Sequence, residues 1–346
     1  MKQLSETVLD FVGCLGVCAS GITTVETLIG GPPSADLTYV LPGAKSAICF
    51  AVPLNQNLIP PFLAKESRRD HERDNLRTNA VATGIAQQLA DFLNLKGYPS
   101  IPVSANLVWR TDTPRGASDT LPPLSQRYLA VCSGVGHFGL SGNIITKQAG
   151  AAVILASTVT TAELVPTEPL PADESYCDNC GMCIASCISG FVNAKEKEHV
   201  KLGGIVFTYT KRGKYSRCGY VCGGYTGLHP SGKWSTWSPG RFAIPEDDKE
   251  LGAVLRKAIM LYNQWPEVEG GSYVFNISKK QWGMCANCQL VCTPDLEERK
   301  RRHKLLVNSG VVMQNPDGSL EAVSPDEAKR RLASMSPEVR ALYEEA

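Results

Sequence analysis

Two short runs of cysteines dominate the sequence: Cys177-Asp-Asn-Cys180-Gly-Met-Cys183-Ile-Ala-Ser-Cys187 and Cys285-Ala-Asn-Cys288-Gln-Leu-Val-Cys292. The first run has the spacing of bacterial ferredoxin ligands, in which three thiolates hold one [4Fe–4S] cluster and the fourth binds the neighbouring cluster. A structural zinc site needs two separated pairs of ligands around one ion, and four cysteines within eleven residues are too crowded for that. The runs therefore predict two [4Fe–4S] clusters and a redox function.

The two runs supply seven thiolates, whereas two cubane clusters need eight. Cys218 and Cys222 lie between the runs and are the candidates for the eighth ligand. The crossed pattern of ferredoxins predicts one cluster on Cys177, Cys180, Cys183 and Cys292, and the other on Cys187, Cys285, Cys288 and Cys218. Such crossing would join residues about a hundred positions apart into one small domain.

The composition is that of a globular protein. The chain has 346 residues, of which 43% are hydrophobic and 20% charged, and this length allows two or three domains. A formal net charge of +1 gives no argument for nucleic acid or an anionic membrane as partner. The 13 cysteines are better explained by cluster ligands, which need a reducing compartment, than by disulfides. With no export signal and no long apolar stretch, the sequence predicts a cytoplasmic protein without membrane association.

The order of elements predicts three parts of the chain. An α/β (α+β) sandwich domain is expected at residues 1–170, because apolar runs typical of strands alternate with helical periodicity. A ferredoxin-like double-cluster domain is expected at 171–296, with a long insertion at about 190–280, and a charged helical tail at 297–346. The individual elements predicted are strands at 47–52, 101–103, 144–146 and 151–155, and helices at 67–95, 124–131 and 249–262, with the last helices beginning at Pro325 and Pro337.

A glycine-rich segment, Gly134-Val-Gly136-His137-Phe-Gly139, satisfies the G-x-G-x-x-G pattern of dinucleotide-binding turns. That fingerprint needs a strand before it and a helix after it, and here the predicted order is the reverse. A loop that lets another large ligand approach the backbone is therefore the preferred interpretation. Asp119 lies just ahead of this loop and is a candidate proton donor if burial keeps it protonated near neutral pH; capping of its own loop is the alternative.

A basic run, Arg299-Lys300-Arg301-Arg302-His303-Lys304, begins the tail. Such a run could contact the phosphates of RNA. Because Glu297 and Glu298 precede it, a solvated helix face is the preferred interpretation.

Four landmarks together resemble the cobalamin-dependent iron-sulfur reductases, the family of the epoxyqueuosine reductases and reductive dehalogenases. These landmarks are the segment Leu41-Pro-Gly-Ala-Lys-Ser-Ala-Ile48, the loop Gly134–Thr146, the first cysteine run followed by a lone Cys218, and the second run. The second run, Cys-x-x-Cys-Gln-Leu-Val-Cys, is especially similar to that of epoxyqueuosine reductases. The family's pattern thus extends from residue 41 to residue 292.

The resemblance implies a base-off cobalamin in the first domain, bound beside Gly134, Gly136, His137, Gly139 and Gly142. The nearer cluster would reduce cobalt to Co(I), and the farther one would accept electrons from a low-potential donor of the ferredoxin or flavodoxin type. The substrate would be a small molecule or a tRNA-borne nucleoside. Asp119, in Asp119-Thr-Leu-Pro122, is similar to the aspartate that donates a proton in epoxyqueuosine reductases.

Two departures from the family pattern indicate a divergent member. Leu140-Ser141 replaces the usual Arg/Lys-Asn pair of the loop, and residues 188–284 form a longer connection than expected between the cysteine runs. Two other classes of protein therefore stay open. One is an iron-sulfur electron-transfer protein or reductive activator of a partner corrinoid protein, and the other is a ferredoxin-like module fused to a flavin-binding domain.

Overall fold

The computed structural model describes residues 2–103, 109–268 and 285–344. The helices are α1 (Lys2–Gly13), α2 (Ile59–Leu63), α3 (Arg69–Leu95), α4 (Gln126–Cys132), α5 (Met182–Ala185), α6 (Tyr215–Cys222), α7 (Leu251–Tyr262), α8 (Asn287–Leu290), α9 (Leu296–Val307), α10 (Pro325–Ser334) and α11 (Pro337–Arg340). The strands are β1 (Ala19–Thr24), β2 (Ser46–Pro53), β3 (Ser100–Val103), β4 (His137–Phe138), β5 (Ile144–Ile145), β6 (Val153–Thr160), β7 (Val192–Leu202), β8 (Ile205–Arg212), β9 (Val311–Gln314) and β10 (Leu320–Val323). Among the described helices, none combines the length and the apolar character needed to cross a membrane.

A four-stranded sheet in the order β1-β2-β6-β3 forms the centre of the first domain. Its strands pair antiparallel throughout. Strand β2 is buried on both faces, because its side chains alternate between two apolar clusters. Ala47 and Cys49 lie on one face, and Ile48 and Phe50 lie on the other. This double burial explains why the sequence shows an unbroken apolar run here and confirms the predicted strand.

Helices cover both faces of the sheet. On one face, Val8 of α1 and Leu89 of α3 pack against the side of β2 that carries Phe50. On the other face, Leu129 of α4 packs in a cluster that also contains Tyr209 of β8. The predicted mixed fold of helices and strands is confirmed. Because every pair in this sheet is antiparallel, the arrangement is an α+β sandwich and not a doubly wound parallel sheet.

The connection between the cysteine runs packs onto the first domain. Strands β7 and β8 form an antiparallel hairpin, and at its tip the Gly203 N–H donates to the Ile29 carbonyl at 3.0 Å. Helix α6 follows the hairpin directly and carries Cys218 and Cys222. The predicted helix at 249–262 is confirmed as α7. The last part of the predicted insertion, residues 269–280, lies outside the described residues.

The tail is not wholly helical, in contrast to the prediction. Between α9 and α10, β9 and β10 pair as an antiparallel hairpin. The turn between them contains Asn315-Pro-Asp-Gly318, whose residue types favour a tight turn, and β9 is buried along its whole length. Strands β9 and β10 were not predicted from the sequence, because each strand is only four residues long and lies between two highly charged helices. Pro325 and Pro337 begin the last two helices, as predicted.

Candidate functional site

Four cysteines form what we call the first set: Cys177, Cys180, Cys183 and Cys292. Cys292 interacts electrostatically with the other three thiols, although it belongs to the second run of the sequence. Cys180 is exposed, whereas Cys183 and Cys292 are buried. Burial raises the pKa of Cys183 to about 11. The first set therefore extends from the interior of the protein to its surface.

Five cysteines form the second set: Cys187, Cys218, Cys222, Cys285 and Cys288. Cys285 and Cys288 both interact with Cys187, which belongs to the first run. The backbone N–H groups of Cys285 and Ala286 donate to Cys222, and the Cys218 and Cys222 sulfurs are 3.7 Å apart. The hydrogen bond between these two thiols raises the pKa of Cys218 and lowers that of Cys222. Both thiols therefore lie within reach of the second set.

The number and the chemistry of these thiols indicate which metal group they fit. Within the described ranges, no three His, Cys, Asp or Glu side chains converge on a point suited to a single metal ion. Two separated sets of soft sulfur ligands fit iron-sulfur clusters, and binding would displace the thiol protons.

The glycine loop, residues 134–146, contacts both cysteine sets. The Leu140 N–H donates to Cys177 Sγ at 3.2 Å, and the Ser141 hydroxyl is hydrogen-bonded to Cys183. The Asn143 side-chain amide donates to Cys288 Sγ at 3.7 Å. Donors of this kind stabilise the negative charge on cluster sulfurs. The loop is therefore the element that joins the two sets.

The five loop residues predicted to bind the cofactor, Gly134, Gly136, His137, Gly139 and Gly142, have protein neighbours in the described structure. A Cβ atom on Gly136 would lie 2.6 Å from the Ile145 carbonyl oxygen, and one on Gly142 would lie 2.9 Å from Arg212 Nε. Gly142 also has φ +72°, which favours glycine. His137 is buried against Tyr176, and burial lowers its pKa. These glycines allow close packing within the protein, and their contact with a cofactor stays a prediction.

Arg299 is a site residue that the sequence reasoning missed. Its guanidinium is buried, donates to Cys180 Sγ at 3.3 Å and pairs with Asp178. Arg302, three residues later, is also buried, whereas Lys300 and Arg301 are exposed and pair with glutamates. The interpretation of the basic run as a solvated face is therefore wrong for two of its residues. The i, i+3 spacing of Arg299 and Arg302 places them on one side of the helix, and this spacing could have indicated that both side chains share a buried face.

A cavity of about 980 Å³ lies beside the second set. Its wall contains Cys222, Asn143 and Gln289 on the side of the cysteines. The sheet domain contributes apolar residues such as Val153 and Leu155, and the inserted segment contributes Tyr215, Leu251 and Leu255. The volume lies at the upper end of the range for small-molecule and cofactor sites. No histidine lines this cavity among the described residues. These walls combine apolar side chains with a few polar groups, as the sites of large organic ligands do.

Asp119 lines the same cavity, but Arg115 holds its carboxylate. The Arg115 backbone N–H donates to Asp119 Oδ2 at 3.1 Å, and its Nε donates to Oδ1 at 2.6 Å. These hydrogen bonds, the backbone one first, lower the pKa of Asp119. The condition for a proton donor, a carboxyl that is protonated near neutral pH, is not met in this conformation. The acid role of Asp119 stays a prediction.

Helix α3 begins with a group of buried polar residues, whose burial was not predicted from the sequence. His71, Glu72 and Asn75 are all buried, and Asn75 lines the cavity. Burial lowers the pKa of His71 to about 4 and raises that of Glu72 to about 7. The recurrence of polar residues at i and i+4 (His71 and Asn75) was the signal for a shared, inward face.

No family model matches the chain. Over 174 residues it is 28% identical to the epoxyqueuosine reductase of Gloeobacter violaceus, a match that covers 50% of this chain and 49% of the relative. This match confirms the resemblance to the epoxyqueuosine reductases. The chain thus spans about half the length of the curated relative that it matches.

Two solved structures were also compared with the chain. An epoxyqueuosine reductase from Bacillus subtilis has a TM-score of 0.45 and 18% identity, over 99% of this chain and 75% of that protein. A reductive dehalogenase has a TM-score of 0.48 and 14% identity, over 96% of this chain and 50% of that protein.

Proposed function

We propose that the protein is a cobalamin-dependent reductase that passes electrons through two [4Fe–4S] clusters to cobalt and then to a small or nucleoside-like organic substrate. The observation that carries this proposal is the placement of the two cysteine sets. The first set reaches the surface at Cys180, and the second borders the cavity at Cys222. Electrons would enter at the exposed set and leave at the set beside the cavity.

The ligands proposed for the two clusters follow the crossed pattern. Cys177, Cys180, Cys183 and Cys292 would hold one cluster, and Cys187, Cys285, Cys288 and Cys218 would hold the other. The interactions of Cys292 with the first run and of Cys187 with the second support this pairing. Residues 1–170 would then form a cobalamin-binding sandwich, and residues 171–296 a ferredoxin-like domain with a long insertion.

Cobalamin, when bound in the base-off form, would supply the cobalt that carries the reduction. The residues of this chain would bind and orient it. The apolar wall at Val153 and Leu155 would exclude water from the cavity, and Asn143 and Ile144, which are the described glycine-loop residues in its lining, would face the cofactor. Asp119 would deliver a proton from the cavity wall once its ion pair with Arg115 opens.

The partners proposed follow from the same arrangement. A low-potential donor of the ferredoxin or flavodoxin type would dock near Cys180, and the reaction would take place in the cytoplasm. The match to the epoxyqueuosine reductase of Gloeobacter violaceus supports a nucleoside-like substrate with a reducible epoxide, which would be tRNA-borne. The replacement of the usual Arg/Lys-Asn pair by Leu140-Ser141 leaves a different small substrate as the alternative.

The test is anaerobic reconstitution of the full chain with iron, sulfide and cobalamin, followed by metal analysis and electron paramagnetic resonance. We expect about eight irons per chain, as two cubane clusters require, together with one base-off cobalt signal. Reduction of epoxyqueuosine by the reconstituted protein would then establish the substrate. Eight irons with no cobalamin retained would overturn the proposal in favour of an electron-transfer protein or an activator of a partner corrinoid protein.

A further inference from the structure

Arg212, the last residue of β8, is held against the glycine loop by the inserted hairpin. The Thr210 N–H donates to the Leu140 carbonyl at 2.9 Å and fixes the strand beside the loop. Arg212 Nε then donates to the Ser141 carbonyl at 2.8 Å, and its Nη2 donates to Asn143 Oδ1 at 2.7 Å. The guanidinium therefore has a fixed position between the hairpin and the loop.

Arg212 also determines the orientation of the Asn143 side chain. The carbonyl oxygen of an amide accepts hydrogen bonds and its NH₂ group donates them, so the two ends of Asn143 are not interchangeable. Because Oδ1 accepts from Arg212, the NH₂ group is directed to the opposite side, where it donates to Cys288 Sγ at 3.7 Å. A chain of contacts thus connects Arg212 through Asn143 to the second cysteine set.

The charge of Arg212 is not balanced by a carboxylate. In the part of the chain that the structure describes, Arg212 makes no ion pair, and the groups that raise its pKa are the thiols of Cys288 and Cys218 together with Tyr209. Burial and the neighbouring Arg127 lower the pKa of Arg212 to about 9, which leaves it charged at neutral pH. Arg299 beside the first set differs, because Asp178 neutralises it. The second set therefore faces a full positive charge.

A positive charge and a hydrogen bond to sulfur both favour the reduced state of a cluster, because reduction adds one negative charge. One electron passes from an external reductant to the cluster, and no covalent bond forms or breaks. The two effects act in the same direction and raise the reduction potential.

We propose that Arg212 and Asn143 together raise the reduction potential of the cluster held by the second cysteine set. This inference rests on the proposed function, because it requires a cluster at that set. Asn143 acts directly on the sulfur, and Arg212 is a positioning residue that orients Asn143 and adds its charge. The long connection between the cysteine runs, which contains Arg212, would thus raise the reduction potential of the cluster beside the cavity.

The experiment uses the full chain reconstituted with clusters but without cobalamin. The two cluster signals are followed by electron paramagnetic resonance during a potentiometric titration with dithionite. We expect Arg212→Gln and Asn143→Leu to move the same signal to a more negative potential. For Arg212→Gln we expect about a tenfold change in the equilibrium constant, ~59 mV for one electron. Arg299→Gln should move the other signal, which assigns the signals to the two sets.

Three further variants separate the relay from a simple structural effect. Arg212→Lys keeps the charge and should shift the potential less than Arg212→Gln. The double variant of Arg212→Gln and Asn143→Leu should shift it by less than the sum of the two, because Arg212 acts partly through Asn143. Arg127→Gln removes a cation from the same cavity wall whose hydrogen bond, among the described residues, is to the Gly142 carbonyl, and should have a smaller effect.

Two outcomes separate the failure of this inference from the failure of the proposed function. Full iron content with unchanged midpoints in Arg212→Gln and Asn143→Leu would overturn the inference alone. An unmodified chain that binds no clusters would overturn the proposed function. If Arg212→Gln loses iron, Asn143→Leu decides the question, because it removes the sulfur contact without changing the charge.

Discussion

The first cysteine set includes the exposed Cys180, whereas every cysteine of the second set is partly buried and the set borders the cavity at Cys222. At the first set, Cys180 is exposed and Arg299 is neutralised by Asp178. At the second set, helix α6 of the inserted segment carries Cys218 and Cys222, and Arg212 has no carboxylate partner among the described residues. The same ligand chemistry is therefore placed in two different electrostatic environments.

With the proposed clusters bound, this difference would give a direction to electron transfer between the two sets. Cluster potentials depend on local charge, on hydrogen bonds to sulfur and on exposure to solvent. All three differ between the two sets, and the glycine loop contacts both of them through Leu140 and Asn143. We infer that the loop fixes the separation of the sets, while the side chains around each set adjust its potential.

The largest expected effect tests whether the sets are crossed. Cys292→Ala should abolish the same paramagnetic signal as Cys183→Ala, and Cys187→Ala the same signal as Cys285→Ala. Each variant should retain about half of the iron, because each removes one ligand of one cluster. Iron analysis and spectra of the four variants measure this. If Cys292→Ala removes the signal that depends on Cys285, the two cysteine runs do not exchange ligands, and the assignment of Cys292 to the first set is wrong.

The eighth ligand provides a sharper test of the second set alone. We expect Cys218→Ala to lower the iron content or to perturb one cluster, and Cys222→Ala to leave both clusters intact. Cys222 is the matched control, because the two sulfurs are only 3.7 Å apart on the same helix. Iron loss confined to Cys222→Ala would transfer the ligand role to that residue, which already receives backbone donors from Cys285 and Ala286.

The features predictable from the sequence are those that depend on local spacing. The apolar run of β2 and the helical periodicity of α3 and α7 correspond to the observed elements. The ligand spacing of each cysteine run is likewise contained within eleven residues or fewer. Such signals need no knowledge of distant partners, because a strand or a ligand run is defined by its immediate neighbours.

The features that were missed depend on contacts between distant segments. Arg299 contacts Cys180, which lies more than a hundred positions earlier in the sequence. Arg212, at the end of β8, contacts Ser141 of the glycine loop, which lies 71 positions earlier. Neither contact follows from periodicity. Asp119 differs again, because its partner Arg115 is only four residues away. There the spacing was visible, but the sequence did not show that the loop would bring the two side chains together.

Chemical labelling tests whether the first set extends from the surface into the interior. In the protein without clusters, iodoacetamide should modify Cys180 faster than the buried Cys183, by about tenfold or more, because reaction needs an accessible thiolate. Burial also raises the pKa of Cys183 to about 11, which lowers its thiolate fraction. Mass spectrometry of timed samples gives the rates. Cys14, which is exposed outside both sets, is the internal control, and equal rates at Cys180 and Cys183 would contradict a first set that extends from the surface into the interior.

The smallest expected effect concerns the cavity beside the second set. Hydrogen bonds from Arg115 lower the pKa of Asp119, so its carboxyl stays ionised to a lower pH than usual. If turnover needs the protonated form, activity falls as the pH rises through that lowered pKa. Arg115→Gln removes the guanidinium but keeps the backbone donor, and should therefore move the falling limb of the pH profile modestly upward.

Asp119→Asn is the matched variant for this test, because it cannot ionise and should slow turnover at every pH while cobalamin and iron stay bound. The pH dependence of kcat/KM in the three proteins measures both effects. A falling limb that does not move in Arg115→Gln would exclude Asp119 as its source. Unchanged turnover in Asp119→Asn would remove this residue from the reaction, and the proton would then have to come from another group on the cavity wall.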